Sequence, residues 1–209
     1  MTLVLVIIGS YLLGAIPFSY LAGKVRKGID LREHGSGNLG ASNTFRILGA
    51  RAGAVVLVLD VAKGFFPVFV AGRLAASGGA PVYLYTLPAA VAAVMGHMFS
   101  VYLRFGGGKG VATSGGAYLG LSPIAVVCAF AVWLVVFATK RIVSLASLGA
   151  AVALPIAVYL VDRVDLWPSH WSYTAVTVVV SLVVIFKHRS NIRRLMSGSE
   201  PALARRKNA

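Results

Sequence analysis

The sequence predicts an all-α integral membrane protein: seven transmembrane helices, one of them short, with the N-terminus outside and the C-terminus cytoplasmic. Three observations lead there. Apolar residues make up 58% of the 209 and charged residues 12%, with a mean hydropathy of +0.82, whereas an average soluble domain has about 45–50% and about 25%. The apolar residues fall in blocks suited to the roughly 20-residue helix that about 30 Å of hydrocarbon requires. The 20 Lys and Arg, set against 6 Asp and Glu, gather mainly between those blocks. Such a chain is neither a water-soluble globule nor disordered. With one cysteine, Cys128, it can build neither a disulfide framework nor a multi-cysteine metal site. The net charge of +14 taken alone suggests nucleic acid or anionic lipid as a partner; the hydropathy selects the membrane.

The first span, residues 2–22, carries no charge, lacks a basic leader and has a poor cleavage signal, so it is expected to be retained. The second, 52–70, is apolar except for Asp60 and Lys63. The third covers 81–103. Residues 110–121, rich in Gly and Ser, make a short or half-membrane fourth. The fifth, sixth and seventh cover 123–139, 142–161 and 171–186. This arrangement puts 17 Lys and Arg on the inner side and only Arg73 and Arg163 outside, as the positive-inside rule requires. Omitting the fourth helix would move Lys140, Arg141 and the basic tail outside. The sequence shows no fixed-period repeat and no linker, so residues 1–197 read as one transmembrane helical domain. Residues 198–209 read as a polar, basic cytoplasmic tail, frayed and suited to anionic lipid.

Polar residues gather in a few segments between and within the spans. Residues 35–46 combine Gly35, Gly37 and Gly40 with Ser36, Ser42, Thr44, Asn38, Asn43 and Arg46. Exposed backbone N–H groups form anion-binding concavities, and Arg grips phosphate with two parallel hydrogen bonds. The same segment also reads as an ordinary polar loop entering the second helix. It matches G-x-G-x-x-G, but no βαβ unit surrounds it, and the acid that a dinucleotide fold would want, Asp60, lies inside a span. Asp60 and Lys63, three residues apart, share a helical face and can pair. They either lock the bundle as a neutral pair or place Lys63 in a polar cleft, since intramembrane charge is costly and faces an interior. Gly96-His97 precedes Gly106-Gly107-Gly108-Lys109-Gly110 and the start of a helix, whose N-terminal dipole favours anions. This is not a P-loop, because Gly110 stands where Ser or Thr would hold magnesium. Ser144 and Ser147 begin the sixth helix, where Ser is most often a cap. His188 and Asn191 lie three apart at the inner end of the last helix, on one face. All these groups belong to the inner side.

The inner acids are only Asp30, Glu33 and Glu200. That set lacks the neighbouring aspartates of a Mg²⁺-dependent head-group transferase. None of the four histidines is followed five residues later by an acid, and no Ser-His-Asp order is evident. No metal and no cofactor is expected, and the chemistry must need little help from a protein base. Two other function classes fit less well. A phosphate-ester transporter would require paired broken helices and a midplane site. Nucleic-acid binding would rest on charge that inner loops already explain.

Ser36-Gly37-Asn38-Leu39-Gly40-Ala41-Ser42-Asn43 with Arg46, then Lys63-Gly64 with Pro67, then Gly96-His97 through Gly107-Gly108-Lys109-Gly110-Val111-Ala112-Thr113 carry a resemblance over nearly the whole chain. Together they resemble the bacterial acyl-phosphate:glycerol-3-phosphate acyltransferase family. Ser42 stands where the family more often has Thr, which keeps the hydroxyl. The resemblance implies seven membrane helices in the cytoplasmic (inner) membrane and an active site facing the cytoplasm. It also implies acyl transfer from acyl phosphate to the 1-hydroxyl of glycerol 3-phosphate, giving lysophosphatidate and phosphate, the first step of phospholipid synthesis. The expected partners are these two substrates and the bilayer, with no nucleic acid and no obligate protein partner. Arg46 and Lys109 are expected to clamp phosphates, with Ser36, Ser42 and Ser144 as hydroxyl donors and Lys63 on the substrate side. Backbone N–H groups of Gly107 and Gly108 are candidates for an oxyanion hole. His188 and Asn191 would position a head group, and Asn38, Asn43 and His97 would hold the loops. The hydroxyl proton goes to a substrate phosphate, or to His188 as the rival base.

Overall fold

The computed structural model describes residues 1–167 and 170–202. Among them the regular structure is helical, without a named strand. The chain divides into two units, Met1–Pro123 and Ile124–Ala209. The end of the expected tail, 203–209 with Arg205, Arg206 and Lys207, lies outside the described residues, as do 168–169 of the outer loop.

The first unit contains α1 (Thr2–Ala15), α2 (Phe18–Lys27), α3 (Ala41–Leu48), α4 (Ala50–Ser77), α5 (Tyr83–Met98) and α6 (Val111–Leu121). The first expected span is therefore not one unbroken helix. Pro17 lacks an N–H, and the ring of a proline pushes the preceding residue out of the helical region. Ile16 obeys, with φ −57° and ψ 118°. The break frees carbonyls inside an apolar segment, and other elements satisfy them. Ser100 Oγ donates to Ala15 O at 2.6 Å, and Lys63 Nζ donates to Ile16 O at 2.7 Å. The polar segment after Gly40 also differs from the loop reading, because its second half winds into α3.

Helix α4 has 28 residues, about 42 Å at 1.5 Å per residue. It crosses α6 at Gly64 and Gly116. A Cβ on Gly64 would run into the Thr113 carbonyl, and one on Gly116 into the Val61 carbonyl. Small residues at a crossing let backbones approach where lipid supplies no hydrophobic drive. Helix α5 follows the same rule, burying Ala89, Ala90, Ala92 and Ala93. Beneath the polar loops, Leu31, Leu39 and Leu103 form a small apolar cluster with Tyr20, Ile29, Ile47 and Leu48. That cluster pins 28–40 to the turn after α5.

The second unit contains α7 from the boundary residue Pro123 to Lys140, then α8 (Val143–Arg163), α9 (Trp171–Lys187) and α10 (Arg189–Met196). Trp133 stacks between Phe130 and Phe137 on α7, and its indole N–H reaches Ser147 Oγ of α8 at 3.4 Å. Most of α7 is exposed, Val127, Phe130 and Val135 prominently so, which suits a lipid-facing helix. The last helix does not run straight through His188. It bends by 59° there, so His188 and Asn191 do not share one continuous helical face. His188 caps α9, and Asn191 belongs to α10.

Among the described residues four helical segments are long and apolar enough to cross a membrane: Thr2–Lys27 with its break, Ala50–Ser77, Pro123–Lys140 and Val143–Arg163. The bent pair α9 and α10 makes a fifth if taken as one span. Helices α5 and α6, at 16 and 11 residues, are shorter than that standard. The short fourth helix expected from the sequence is α6.

Candidate active site

In the first unit a small cleft opens beside the break between Ile16 and Pro17, lined by Lys63, His97, Gly107, Gly108, Asp60 and Ser100 together with Ser19, Leu39 and residues 15–18. Four of the expected site residues thus meet at one place. Lys63 and Asp60 are each about 2% exposed, and their charged atoms stand 2.9 Å apart. The same carboxylate oxygen lies 3.6 Å from His97 Nδ1. Both sequence readings of the pair hold at once, since it is an internal ion pair and its lysine also lines the cavity. An ammonium has three donors; Lys63 gives one to Ile16 O and directs its charge at Asp60 and over the Phe18 ring.

The glycine loop lies directly on His97. Gly108 N–H donates to the His97 carbonyl at 3.1 Å. A Cβ on Gly108 would meet His97 Nε2 and the Leu39 carbonyl, so only glycine fits between them. That hydrogen bond competes with the oxyanion role expected of the Gly108 amide, so of the two glycines Gly107 is the better donor. Lys109 follows, partly exposed, and Gly110 at φ +83° starts α6. Leu39 thereby ties the 36–46 segment to the glycine loop.

Within that segment Asn43 is the hub. Its Oδ1 accepts the Ser36 N–H at 3.0 Å, and its Nδ2 donates to Leu31 O and His34 O at 3.1 and 3.0 Å. Ser19 and Thr44 hydroxyls meet at 2.8 Å, joining α2 to α3. Asp30 is gripped by the Arg32 guanidinium at 2.6 Å; that hydrogen bond outweighs burial and holds the carboxyl below its ordinary value. On this frame Ser36 and Arg46 are exposed, while Ser42 and Asn38 are partly so. They are available to a ligand in a way the buried Asn43 is not.

The remaining candidates belong to the second unit, where Glu200, given no role in the sequence reading, organises Ser144 and Asn191. Glu200 Oε1 accepts from Ser144 Oγ and from Asn191 Nδ2, each at 2.6 Å, and its Oε2 accepts from Arg194 Nε at 2.6 Å. Burial raises the Glu200 carboxyl, but the bonds from Ser144, Asn191 and Arg194 outweigh it and hold it below its ordinary value of 4.5. The frayed tail expected from Gly198 onward is therefore tied down at Glu200. His188 is buried, and its Nδ1 lies 2.8 Å from the Val184 carbonyl. A carbonyl only accepts, so Nδ1 carries the hydrogen and the neutral ring keeps Nε2 as its basic nitrogen. Besides Glu200, sequence reasoning left out Ser19 and Ser100, and it paired Asp60 with Lys63 without making it a site residue. For Ser100 the one available signal was its place just after Gly96-His97.

Among the described residues no three His, Cys, Asp or Glu side chains gather as a metal group. The arrangement offers instead cationic side chains, hydroxyls and glycine amides suited to phosphate esters.

Known proteins share this architecture. The family model described as glycerol-3-phosphate acyltransferase matches residues 4–198. The glycerol-3-phosphate acyltransferase of Geotalea daltonii is 42% identical over 202 residues, covering 97% of this chain and 98% of its own. That of Geobacillus kaustophilus is 44% identical over 198 residues, 94% of each. Among solved structures, PlsY (YgiH), an integral membrane glycerol 3-phosphate acyltransferase in its glycerol 3-phosphate form, superposes with a TM-score of 0.86. It is 38% identical, over 98% of this chain and 96% of that one. Its lysophosphatidic acid form gives 0.84 at 37% identity over the same shares. A cavity built from the glycine loop, an all-helical membrane fold and these matches lead to one conclusion: the chain belongs to the glycerol-3-phosphate acyltransferase family of integral membrane enzymes.

Proposed function

We propose that this enzyme transfers a fatty acyl group from acyl phosphate to the 1-hydroxyl of glycerol 3-phosphate, giving lysophosphatidate and inorganic phosphate without a metal ion. The observation that carries this reading is the paired structural likeness. One solved relative is in a glycerol 3-phosphate form and the other in a lysophosphatidic acid form, the acceptor and the product of one acyl transfer. Acyl phosphate as donor fits the residues, because a mixed anhydride is already activated and brings its own leaving group. The acceptor oxygen attacks the carbonyl carbon, the bond from that carbon to the phosphate oxygen breaks, and the hydroxyl proton passes to a substrate phosphate, with His188 Nε2 as the rival acceptor. Arg46 and Lys109 hold phosphates; Ser36 and Ser42 donate hydroxyl hydrogen bonds, and Ser144, whose hydroxyl hydrogen goes to Glu200, donates to substrate only on releasing that carboxylate. Lys63 adds positive field from the cavity wall, and the Gly107 amide faces the developing oxyanion. Positioning and fixed dipoles supply most of the acceleration. Asn191 and His188 orient a head group, and Asn38 and His97 shape the loops.

Residues 1–197 work as one domain in the bacterial inner membrane, with seven crossings, N-terminus out and C-terminus in, and the polar groups reached from the cytoplasm. Inner-side charge supports this orientation. No protein partner is needed. The test is purified protein with synthetic acyl phosphate and glycerol 3-phosphate in the presence of a chelator, following phosphate release and lysophosphatidate together. Equimolar formation of both is expected. Turnover with a coenzyme A or carrier-protein thioester but not with acyl phosphate would sink the donor assignment.

A further inference from the structure

Asp60 takes no part in the reaction as proposed, yet it is a buried carboxylate in the middle of an apolar helix. We propose that Asp60 is a positioning residue for acyl transfer, acting through His97 on the loop of Gly107 and Gly108; this rests on the acyl-transfer reading above. A buried ion pair is a weak device for stability, since well-packed apolar residues often do as well, so what the carboxylate touches matters more than its presence. Lys63 supplies its counter-charge at 2.9 Å. The second neighbour, His97 Nδ1 at 3.6 Å from the same oxygen, connects to the loop. The other edge of that ring, Nε2, stands where a Gly108 side chain would begin, and the His97 carbonyl holds the Gly108 N–H. Asp60 thus sets the ring from one side, and the ring supports the loop from the other, one residue before Lys109. Turning the ring would push the loop, and a displacement of about 1 Å at a reacting site can cost on the order of a hundredfold in rate.

The rival account is that the pair only ties α4 to the carbonyl exposed at the break before Pro17. Full-length protein in detergent separates the two. Wild-type turnover of acyl phosphate with glycerol 3-phosphate is measured first, then that of Asp60→Asn, His97→Gln and the two combined, each with its melting temperature. A fourth variant, Asp60→Asn with Lys63→Met, leaves no stranded ammonium. Expected is a loss in kcat/KM of roughly a hundredfold for Asp60→Asn. His97→Gln should add no more than about threefold to it, because both cut one link. A folded Asp60→Asn, alone or with Lys63→Met, that turns over normally overturns the proposal; so do Asp60 and His97 losses that multiply. Hydrogen exchange across residues 106–111 gives an answer independent of turnover. Protection in the wild type that falls in Asp60→Asn while α5 stays protected supports the link. Exchange as fast as a free peptide in the wild type refutes it, whether or not any variant folds. Wild-type protein that keeps a protected, Asp60-dependent loop yet never uses acyl phosphate would sink the reaction and spare the link.

Discussion

Three donors meet on the Glu200 carboxylate, and their number sets its behaviour with pH. Ser144, Asn191 and Arg194 all bond the ionised form, so the folded-state value lies below the ordinary 4.5. A depressed carboxyl contributes stability that is fully present above its unfolded value and is lost as pH falls through the folded one. Melting curves should therefore show a Glu200-dependent contribution that is constant from about pH 6 upward and fades below about pH 4.5. Glu200→Gln removes the charge and turns an amide N–H₂ toward one of the three donors. Bonds to a charged partner are typically worth about 1.5–3 kcal/mol. The variant should be less stable at pH 7 by an amount in that range, melt correspondingly lower, and close the gap to wild type in acid. An identical melting temperature at pH 7 would mean the three contacts contribute nothing. Hydropathy does not reveal this arrangement: Ser144 and Glu200 are 56 residues apart, and only the folded chain brings a tail acid to a helix start. The sequence motifs drew attention because glycine beside Lys or Arg suits close approach to an anion, yet in the fold Gly108 is fitted against His97 and the Leu39 carbonyl. Asn43 was expected to hold its loop; what the motifs could not tell was how, with Oδ1 on the Ser36 N–H and Nδ2 on the Leu31 and His34 carbonyls.

At the level of helices, close backbone approach decides which positions tolerate a side chain. Gly116 faces the Val61 carbonyl of α4, whereas its neighbour Gly115 has open space where a Cβ would stand. Gly116→Ala should drive α6 away from α4 and destabilise by about 1–3 kcal/mol, as overpacking does. Gly115→Ala should be neutral or slightly stabilising, since alanine is the better helix former. Thermal melting of the pair in one detergent checks this, and equal melting temperatures would show that the crossing of α4 and α6 yields without cost. The long spans were legible because each needs an uninterrupted apolar run, which composition displays directly. Helices α3 and α10, eight residues each, were not, for a short amphipathic helix carrying Ser, Asn and Arg looks like a loop until something packs on it. The break at Pro17 left a signal in the sequence, an imino acid inside an apolar run, but hydropathy alone outweighed it.

For the molecule as a whole, the parity of crossings fixes whether the two termini lie on the same side or on opposite sides. Four long apolar segments and the bent pair of α9 and α10 make five, and α5 with α6 would bring the number to seven. If α5 crosses and α6 dips in and returns, the count is six, and everything from α7 onward inverts. That inversion would carry Lys140, Arg141, Lys187, Arg189, Arg193 and Arg194 to the outer face, against a bias that holds because Lys and Arg resist translocation in short loops. The test begins by replacing the exposed Cys128 with Ala. Single cysteines are then placed at Thr2, Ala76, Lys140 and Ser199, in cells probed with an impermeant thiol reagent. Seven crossings predict that Thr2→Cys and Ala76→Cys react from outside, whereas Lys140→Cys and Ser199→Cys react only after the membrane is opened. Reaction of the last two in intact cells, with Thr2→Cys still labelled, would show that one of α5 and α6 does not cross, α6 being the shorter. Positioning Lys109 at the cytoplasmic end of an 11-residue helix would then be the work of a re-entrant element, and the charge argument for the topology would fail with it.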